Sequence, residues 1–515
     1  MMKKPLLLWA VVWGLGQIGL AQNSVLDTTF NATGIVTTTF GTQSSDRAYG
    51  IVVQPDGKSV VAGQTAGGSI GSTRSCVSRY KPDGSLDPAF SSDGKVTLLV
   101  GDACEAHALA LQPDGRIVIA GFYVLADEYH PFAARFKANG ALDNTFGING
   151  VAKLPLPGFA ESVVIQPDGR ILLGGYSDGR MLLLRLLPGG STDPAFGNAG
   201  VVFGDLGNNR DDRIQTLALL PDGKILAGGA SSIYPVSSWA LVARFLPGGS
   251  LDTGFGQNGF AQVQAAEVEY INDMVLDADG DILVTGSVNQ NDVWSLLVAR
   301  FKAGGVLDLN FGDDGFLLRN YDLSTYGKGI GLLHDGRIVV VGAVYKGYKN
   351  DFMAARFTPG GADDPNFGDN GKALLSLNTF YDVLYDLAVL PDDRFVAAGH
   401  YLPFYNGHVV MRFTDKAVTS GADLASAAAP EAFRVSPNPL QDNSALYFHT
   451  GDRRHDITVC LTDAGGSILR QYGPLVSDAG AGEQTLPLQA GNLPAGCYFL
   501  IVRTGTALHV LPLVR

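Results

Sequence analysis

The sequence predicts an all-β chain: a seven-bladed β-propeller followed by a small immunoglobulin-like β-sandwich. Three observations carry the prediction. Three short motifs each recur seven times, each repeat holds four short strand-like runs, and the two ends of the repeat array complement one another.

The elements follow in chain order. Residues 1–21 read as a signal peptide. Lys3 and Lys4 form a positive n-region, 5–14 an apolar h-region, and Gly19-Leu20-Ala21 a small-residue cleavage site before Gln22. That apolar stretch is too short for a comfortable membrane span, an uncleaved anchor being the alternative.

Residues 22–414 hold the repeats. One marker is a tight turn and an apolar run, as in Gln54-Pro55-Asp56-Gly57 before Ser59-Val60-Val61-Ala62-Gly63. Its aspartate recurs at 114, 168, 222, 279, 335 and 392, at intervals of 58, 54, 54, 57, 56 and 57. A second marker is an arginine ending an apolar strand, at 79, 135, 185, 244, 300, 356 and 412. The third is Asp-x-x-Phe, with its Phe at 30, 90, 146, 196, 255, 311 and 367. Such self-similarity at a fixed period marks a repeat architecture.

In the second repeat, 108–112 reads as a strand and Pro113-Asp114-Gly115 as its hairpin turn, where Pro and Gly set the backbone angles. Residues 117–121 form a nearly continuous apolar run, suited to a strand buried on both faces. Residues 133–136 and 151–154 complete four strands, the content of one propeller blade. The array begins with an unmatched Asp-x-x-Phe and a lone strand at 35–40, and it ends at Arg412 with no Asp-x-x-Phe after it. Pairing those ends closes a ring and removes two exposed edges; an open solenoid needs caps instead.

The repeat resembles the delta-60 repeat family of predicted propellers. The resemblance rests on Gln-Pro-Asp-Gly-Lys/Arg, the apolar strand ending in Gly, Val-Ala-Arg-Phe and Leu-Asp-x-x-Phe-Gly-x-x-Gly, over about three quarters of the chain. Three copies depart at the turn: Asp277-Ala278-Asp279-Gly280, Leu333-His334-Asp335-Gly336 and Asp392-Asp393. The family implies a fold and no chemistry.

Residues 415–432 are Ala/Ser-rich and read as a linker. Residues 433–515 then carry short alternating strands with turn signals, as a small β-sandwich does. This tail resembles the C-terminal sorting domain of type IX secretion cargo, through Pro437-Asn438-Pro439, Asp463-x-x-Gly466 and Leu493-x-x-Gly496-x-Tyr498. The resemblance implies passage through the periplasm and an outer-membrane translocon, which would be a partner, then release or surface anchoring. The ending, His509 to Arg515, lacks the lysines expected of such a tail. A sandwich used for adhesion is the alternative.

Composition narrows the function classes. Charged residues make up 17% and hydrophobic ones 46% of 515 residues, which excludes a disordered chain or a coiled coil. Lys+Arg 37 against Asp+Glu 50 gives −13, a poor balance for a nucleic-acid binder. Four cysteines make no disulfide scaffold. Cys460 and Cys497 are either one bridge or two free thiols.

No nucleophile elbow, zinc-protease helix, phosphate loop or Cys-x-x-Cys is present in the sequence. Neither a cofactor nor a metal is expected. Asp277 to Asp281 has the look of a calcium loop, but it occupies the register of an ordinary hairpin and lacks the distal Glu. Residues needed in every blade are structural: the Asp caps its own turn and the Phe wedges between blades.

Binding is therefore sought where repeats differ, on the rim carrying the second-to-third and fourth-to-first connections. Candidate ligand residues are Tyr123, His130, Tyr234, Trp239, Trp294, Tyr345, Tyr348, Tyr401 and Tyr405. The fourth-to-first connections add Tyr270, Tyr321, Tyr326 and Tyr381, with acids such as Asp211, Asp212, Glu267 and Glu269. Aromatics beside hydrogen-bonding groups stack on sugars or anchor peptides; half-burial between blades is the competing role. The expected function is an exported or cell-surface monomer binding a carbohydrate or an extracellular protein. The alternatives are a glycoside hydrolase or lyase with carboxylates at the channel mouth, and a structural surface-layer component. Trp239 and Trp294, five and six residues before their arginines, are expected to serve one ligand together.

Overall fold

The computed structural model describes residues 25–68, 71–204, 210–233, 237–266, 268–377, 380–402 and 407–414, and in the C-terminal segment 434–436, 445–450, 456–463, 468–476, 482–488, 497–504 and 507–514. Among the described residues every regular element is a strand. Residues 23–418 make one compact unit, and the C-terminal strands belong to a second.

The first unit is a seven-bladed β-propeller. Each blade is an antiparallel meander of strands a to d. In blade 1 these are Ser45–Val53, Ser59–Gly67, Gly71–Tyr80 and Lys95–Leu98. The a strands of blades 2 to 7 are Ala103–Leu111, Phe159–Ile165, Asp211–Leu219, Val268–Leu276, Ser324–Leu332 and Val383–Val389. Each a strand contacts the a strand of the next blade all the way round, so these seven line the axis.

Sequence pattern explains which strand goes where. Strand b of blade 2, Ile117–Leu125, is apolar on both faces, and its first seven residues are all buried because neighbouring blades cover both sides. Strand a of blade 1 instead alternates buried and half-buried residues before its midpoint, as a strand facing a channel on one side should. The core is accordingly a set of clusters between adjacent blades. One joins Val60 and Val77 of blade 1 to Ile117 and Phe132 of blade 2.

The a–b hairpins close as expected. In blade 1, Gly57 takes φ +78° and donates its N–H to the Gln54 carbonyl at 2.8 Å, while Asp56 accepts from Lys58 N. In blade 7 Asp393 replaces the glycine, holds φ +65°, and accepts hydrogen bonds from His334 N and Nδ1. The Asp277–Asp281 segment is likewise a hairpin, with Asp277 Oδ1 accepting from Asp279 N and Asp281 N.

The three repeated residues form one device. Arg135 Nε donates to the Asp143 carboxylate at 2.8 Å, its guanidinium lies 4.7 Å from the Phe146 ring centroid, and Nη1 donates to the Pro188 carbonyl of blade 3. Asp143 also caps its own turn through Thr145 N. Phe146 is fully buried, under Gly190 of the next blade. The arginine–aromatic part recurs with Phe30, Phe90, Phe196, Phe255, Phe311 and Phe367.

The ring closes through the chain's N-terminal strand. Ile35–Thr38 pairs antiparallel with Gly407–Phe413, from Ile35↔Met411 to Thr38↔His408, and becomes strand d of blade 7.

The second unit holds seven strands in two antiparallel sheets among its described residues. One sheet runs Arg434–Ser436, Ala445–Thr450, Gly482–Pro487. The other runs Ile468–Val476, Asp456–Asp463, Cys497–Thr504, Ala507–Val514. Asp463 and Tyr498 face each other in register in the latter. Pro437, Asn438, Pro439, Gly466, Leu493 and Gly496 lie outside the described residues.

Candidate ligand site in the central channel

Strand a of every blade carries one extra residue. In blade 1, Ala48 pairs with Gly63 and Gly50 with Ala62, which leaves Tyr49 without a partner. The same irregularity singles out His107, Glu161, Gln215, Asn272, Lys328 and Tyr385. A β-bulge bends its strand and re-aims a side chain, which is why bulges gather beside binding sites. The glycine that ends each apolar run makes the bulge possible. A Cβ at Gly63 would stand 1.8 Å from the Arg47 carbonyl oxygen, and one at Gly121 would stand 1.9 Å from that of Glu105.

The seven bulges put seven side chains of six types into the lining of one axial cavity of about 460 Å³. Identical backbone positions thus carry two tyrosines, a histidine, a carboxylate, two amides and an ammonium. A larger cleft of about 850 Å³ lies along blades 1 to 3, but Lys153 is the one titratable side chain lining it. The axial cavity therefore has the chemistry.

The aromatic and charged groups of the channel are knitted together. Tyr49 meets His107 edge-on at 5.0 Å between centroids and Tyr385 at 5.3 Å. His107 Nδ1 lies 2.6 Å from Glu161 and Nε2 lies 3.4 Å from Glu105. Burial alone would depress this imidazole, but the two carboxylates outweigh it and hold its pKa up to about 10. Burial raises the Tyr49 hydroxyl, and Glu105 adds to that. Burial also lowers the pKa of Lys328.

Two carboxylates line the same cavity one residue past their bulges. Asp273 accepts from Thr216 Oγ1, Met274 N and, at 3.0 Å, Ile330 N of blade 6. Asp386 accepts from Leu387 N and, at 2.8 Å, Ile51 N of blade 1. Burial pushes both up, and Asp273 pushes Asp386 further. Both act as clamps between inner strands, as Ser162 does for Leu217 N.

Among the described residues, the rim residues expected from the sequence differ in exposure and in contacts. Tyr123 is buried and stacks on His130 at 5.2 Å, and His130 Nδ1 sits 3.0 Å from the Leu156 carbonyl; the pair is packing. Trp239 is 41% exposed and lies under the Arg210 guanidinium at 3.5 Å. Trp294 is half-buried between Tyr270 and Tyr326. Counted from their arginines the two tryptophans differ by one residue, and strand side chains alternate faces, so they point to opposite sides of their sheets. Trp294 meets Tyr326 of blade 6, while Trp239 meets Arg210 of its own blade.

Tyr345 and Tyr348 are exposed, as are Leu323, Phe380 and Tyr381, while Tyr401 is half-buried. Tyr234, Tyr405 and Glu267 lie outside the described residues. Asp212 and Glu269 are buried caps rather than rim acids: Asp212 accepts from Ser231 Oγ and Glu269 from Ala266 N.

Seven four-stranded blades around a chemically mixed channel define a closed β-propeller. More narrowly, six segments match the family profile described as "Domain of unknown function (DUF5122) beta-propeller", at residues 54–90, 112–146, 166–196, 220–255, 278–311 and 334–367. Six of the seven repeats are thus similar to that profile. Every matched segment runs from the a–b turn to the repeated Phe. The seventh repeat is split between the two ends of the array, and all seven bulge residues fall outside the matches.

Among solved structures, the chain is similar to a protein of unknown function from Dyadobacter fermentans, at 12% identity over 73% of this chain and 99% of that one, TM-score 0.40. It is also similar to a PL25 polysaccharide lyase, an ulvan lyase, at 8% identity over 71% and 91%, TM-score 0.43. Drosophila Plexin A in complex with Semaphorin 1b matches at 10% identity over 73% and 86%, TM-score 0.40. At these values the likeness carries nothing about function. No curated protein matches the sequence.

Proposed function

We propose that this chain is an exported propeller that binds a carbohydrate end in its central channel and carries a C-terminal sorting signal. The observation that supports the binding reading is the set of six residue types spread over the seven copies of one repeated backbone position. A residue needed for the fold would be the same in each blade, as the Arg and Phe are. Tyrosine rings, amides and charged groups converging on a small cavity suit a hydroxyl-rich ligand with apolar ring faces. An extended extracellular peptide is the neighbouring reading, with Tyr348 and Phe380 as outer contacts.

An enzyme reading has one observation in its favour: Asp273 and Asp386 line the cavity with raised pKa values. Against it, every carboxylate oxygen of the pair already accepts a hydrogen bond from the protein's own N–H or O–H groups. His107, held protonated, and Tyr49, held as the phenol, are poor bases near neutral pH.

Export rests on 1–21 as a signal peptide and on the sorting resemblance of 433–515, with the outer-membrane translocon as partner and the cell surface or medium as destination. A glycan array probed with the full-length chain, with product release assayed in parallel, tests the functional reading. Binding without turnover supports it; released products favour the hydrolase or lyase.

A further inference from the structure

The bulge ring is not electrically uniform. His107, its one imidazole, is compensated by Glu105 and Glu161. Lys328, its one ammonium, makes no ion pair or hydrogen bond among the described residues, although it lines the cavity. Of the carboxylates that line the same cavity, Glu105 and Glu161 are engaged by His107, and the clamps Asp273 and Asp386 have their oxygens occupied by Ile330 N, Ile51 N and their own neighbours. A partly buried charge without a counter-charge is costly, and a protein keeps one where a ligand supplies the partner.

The two bulge residues before Lys328 extend the same arc. Gln215 has no hydrogen-bond partner among the described residues. Asn272 Nδ2 donates to the Gly327 carbonyl at 2.7 Å, which holds its amide beside the residue that precedes Lys328. Blades 4 to 6 therefore present amide, amide and ammonium, while blades 7 and 1, next round the ring, present the Tyr385 and Tyr49 rings. Resting on the channel reading above, we infer that the ligand is an anionic sugar, a pyranose bearing a carboxylate or sulfate, with its charged group on the Gln215–Lys328 arc and its ring toward Tyr49 and Tyr385.

Calorimetric titration of the full-length chain tests this with three probes: oligogalacturonates, sulfated galacto-oligosaccharides and neutral cello-oligosaccharides. At least one acidic series should bind, more weakly as salt rises. Lys328→Gln should weaken it by at least about tenfold, and Lys328→Arg by no more than about threefold. Which acidic series binds distinguishes carboxylate from sulfate. Binding of neutral sugars alone, or an acidic affinity indifferent to Lys328→Gln, overturns this inference and leaves channel binding standing. Absence of any sugar binding overturns both. Should Lys328→Gln fail to fold, the salt dependence of the wild type and the Lys328→Arg affinity decide, and a salt-independent affinity overturns the inference.

Discussion

Arg412 Nε lies 2.8 Å from the carboxylate of Asp27, 385 residues earlier in the chain, and the Arg412 guanidinium covers Phe30 at 4.8 Å. Six other blades make this contact within one stretch of chain; here it joins the two ends of the repeat array. Arg412 also donates to the Pro82 carbonyl of blade 1, so one side chain ties the last blade to both the N-terminal strand and the first blade. The ring is fastened by the same chemistry that builds each blade.

Removing Asp27 should therefore open the ring. Asp27→Ala leaves a buried guanidinium without its anion, a loss of about 3–5 kcal/mol when one partner of a buried pair is deleted. The Asp27→Ala/Arg412→Met double variant should recover part of that loss. Urea unfolding of the two variants checks this. A deficit in Asp27→Ala no larger than that of an exposed pair, below about 1 kcal/mol, contradicts it.

Acid should loosen several blades together. Burial pushes Asp143 up, but Thr145 and Arg135 outweigh burial and hold it below the ordinary carboxylate range; Asp193, Asp308 and Asp364 are held down in the same sense. A depressed folded pKa gives stability that is present above the unfolded value of about 3.9 and is lost as pH falls through the folded value. Melting temperature should fall below about pH 4. The gap between wild type and Asp143→Asn should narrow there, and a gap that widens in acid contradicts the sign.

The strand-b glycines should be intolerant of a single methyl group. Gly121→Ala places a Cβ where the Glu105 carbonyl oxygen stands, so the bulge that presents His107 must shift. Overpacking of this kind costs about 1–3 kcal/mol or more. Gly189→Ala, where nothing lies within 4 Å of the added Cβ, should be nearly neutral. Equal melting temperatures for the two variants would refute the role given to the glycine.

Export should depend on the tail. Deleting residues 433–515 should leave the protein in the periplasm, while the propeller keeps a cooperative melting transition. Fractionation of cells against medium reads the first outcome and calorimetry the second. Undiminished surface or medium levels contradict the sorting role.

The propeller was legible because its physics is repeated. One glycine, one Asp-x-x-Phe and one Arg per blade each solve a problem that recurs seven times, and the split seventh copy exposed the closure through Asp27 and Arg412. The channel was not legible by residue type, because its seven positions share geometry and differ in chemistry. Choosing aromatics in variable connections selected Tyr123 and His130, which pack on each other, and Trp239 and Trp294, which a one-residue offset separates. The usable signal was positional. Each channel residue stands seven places before the turn aspartate, as Tyr49 before Asp56, and fourteen before the strand-ending glycine, as His107 before Gly121.

In the function proposed above, the bulge ring and not the outer face recognises the ligand. The direct measurement is the affinity of the tightest-binding glycan for Tyr49→Ala and Trp239→Ala, with melting temperatures of both. Loss of a stacking contact is worth about 0.5–1.5 kcal/mol beyond buried area. Tyr49→Ala should therefore bind about threefold to tenfold more weakly or worse, while Trp239→Ala, which only uncovers Arg210, binds as wild type does. Normal binding by Tyr49→Ala with lost binding by Trp239→Ala would contradict the account and return the site to the outer rim.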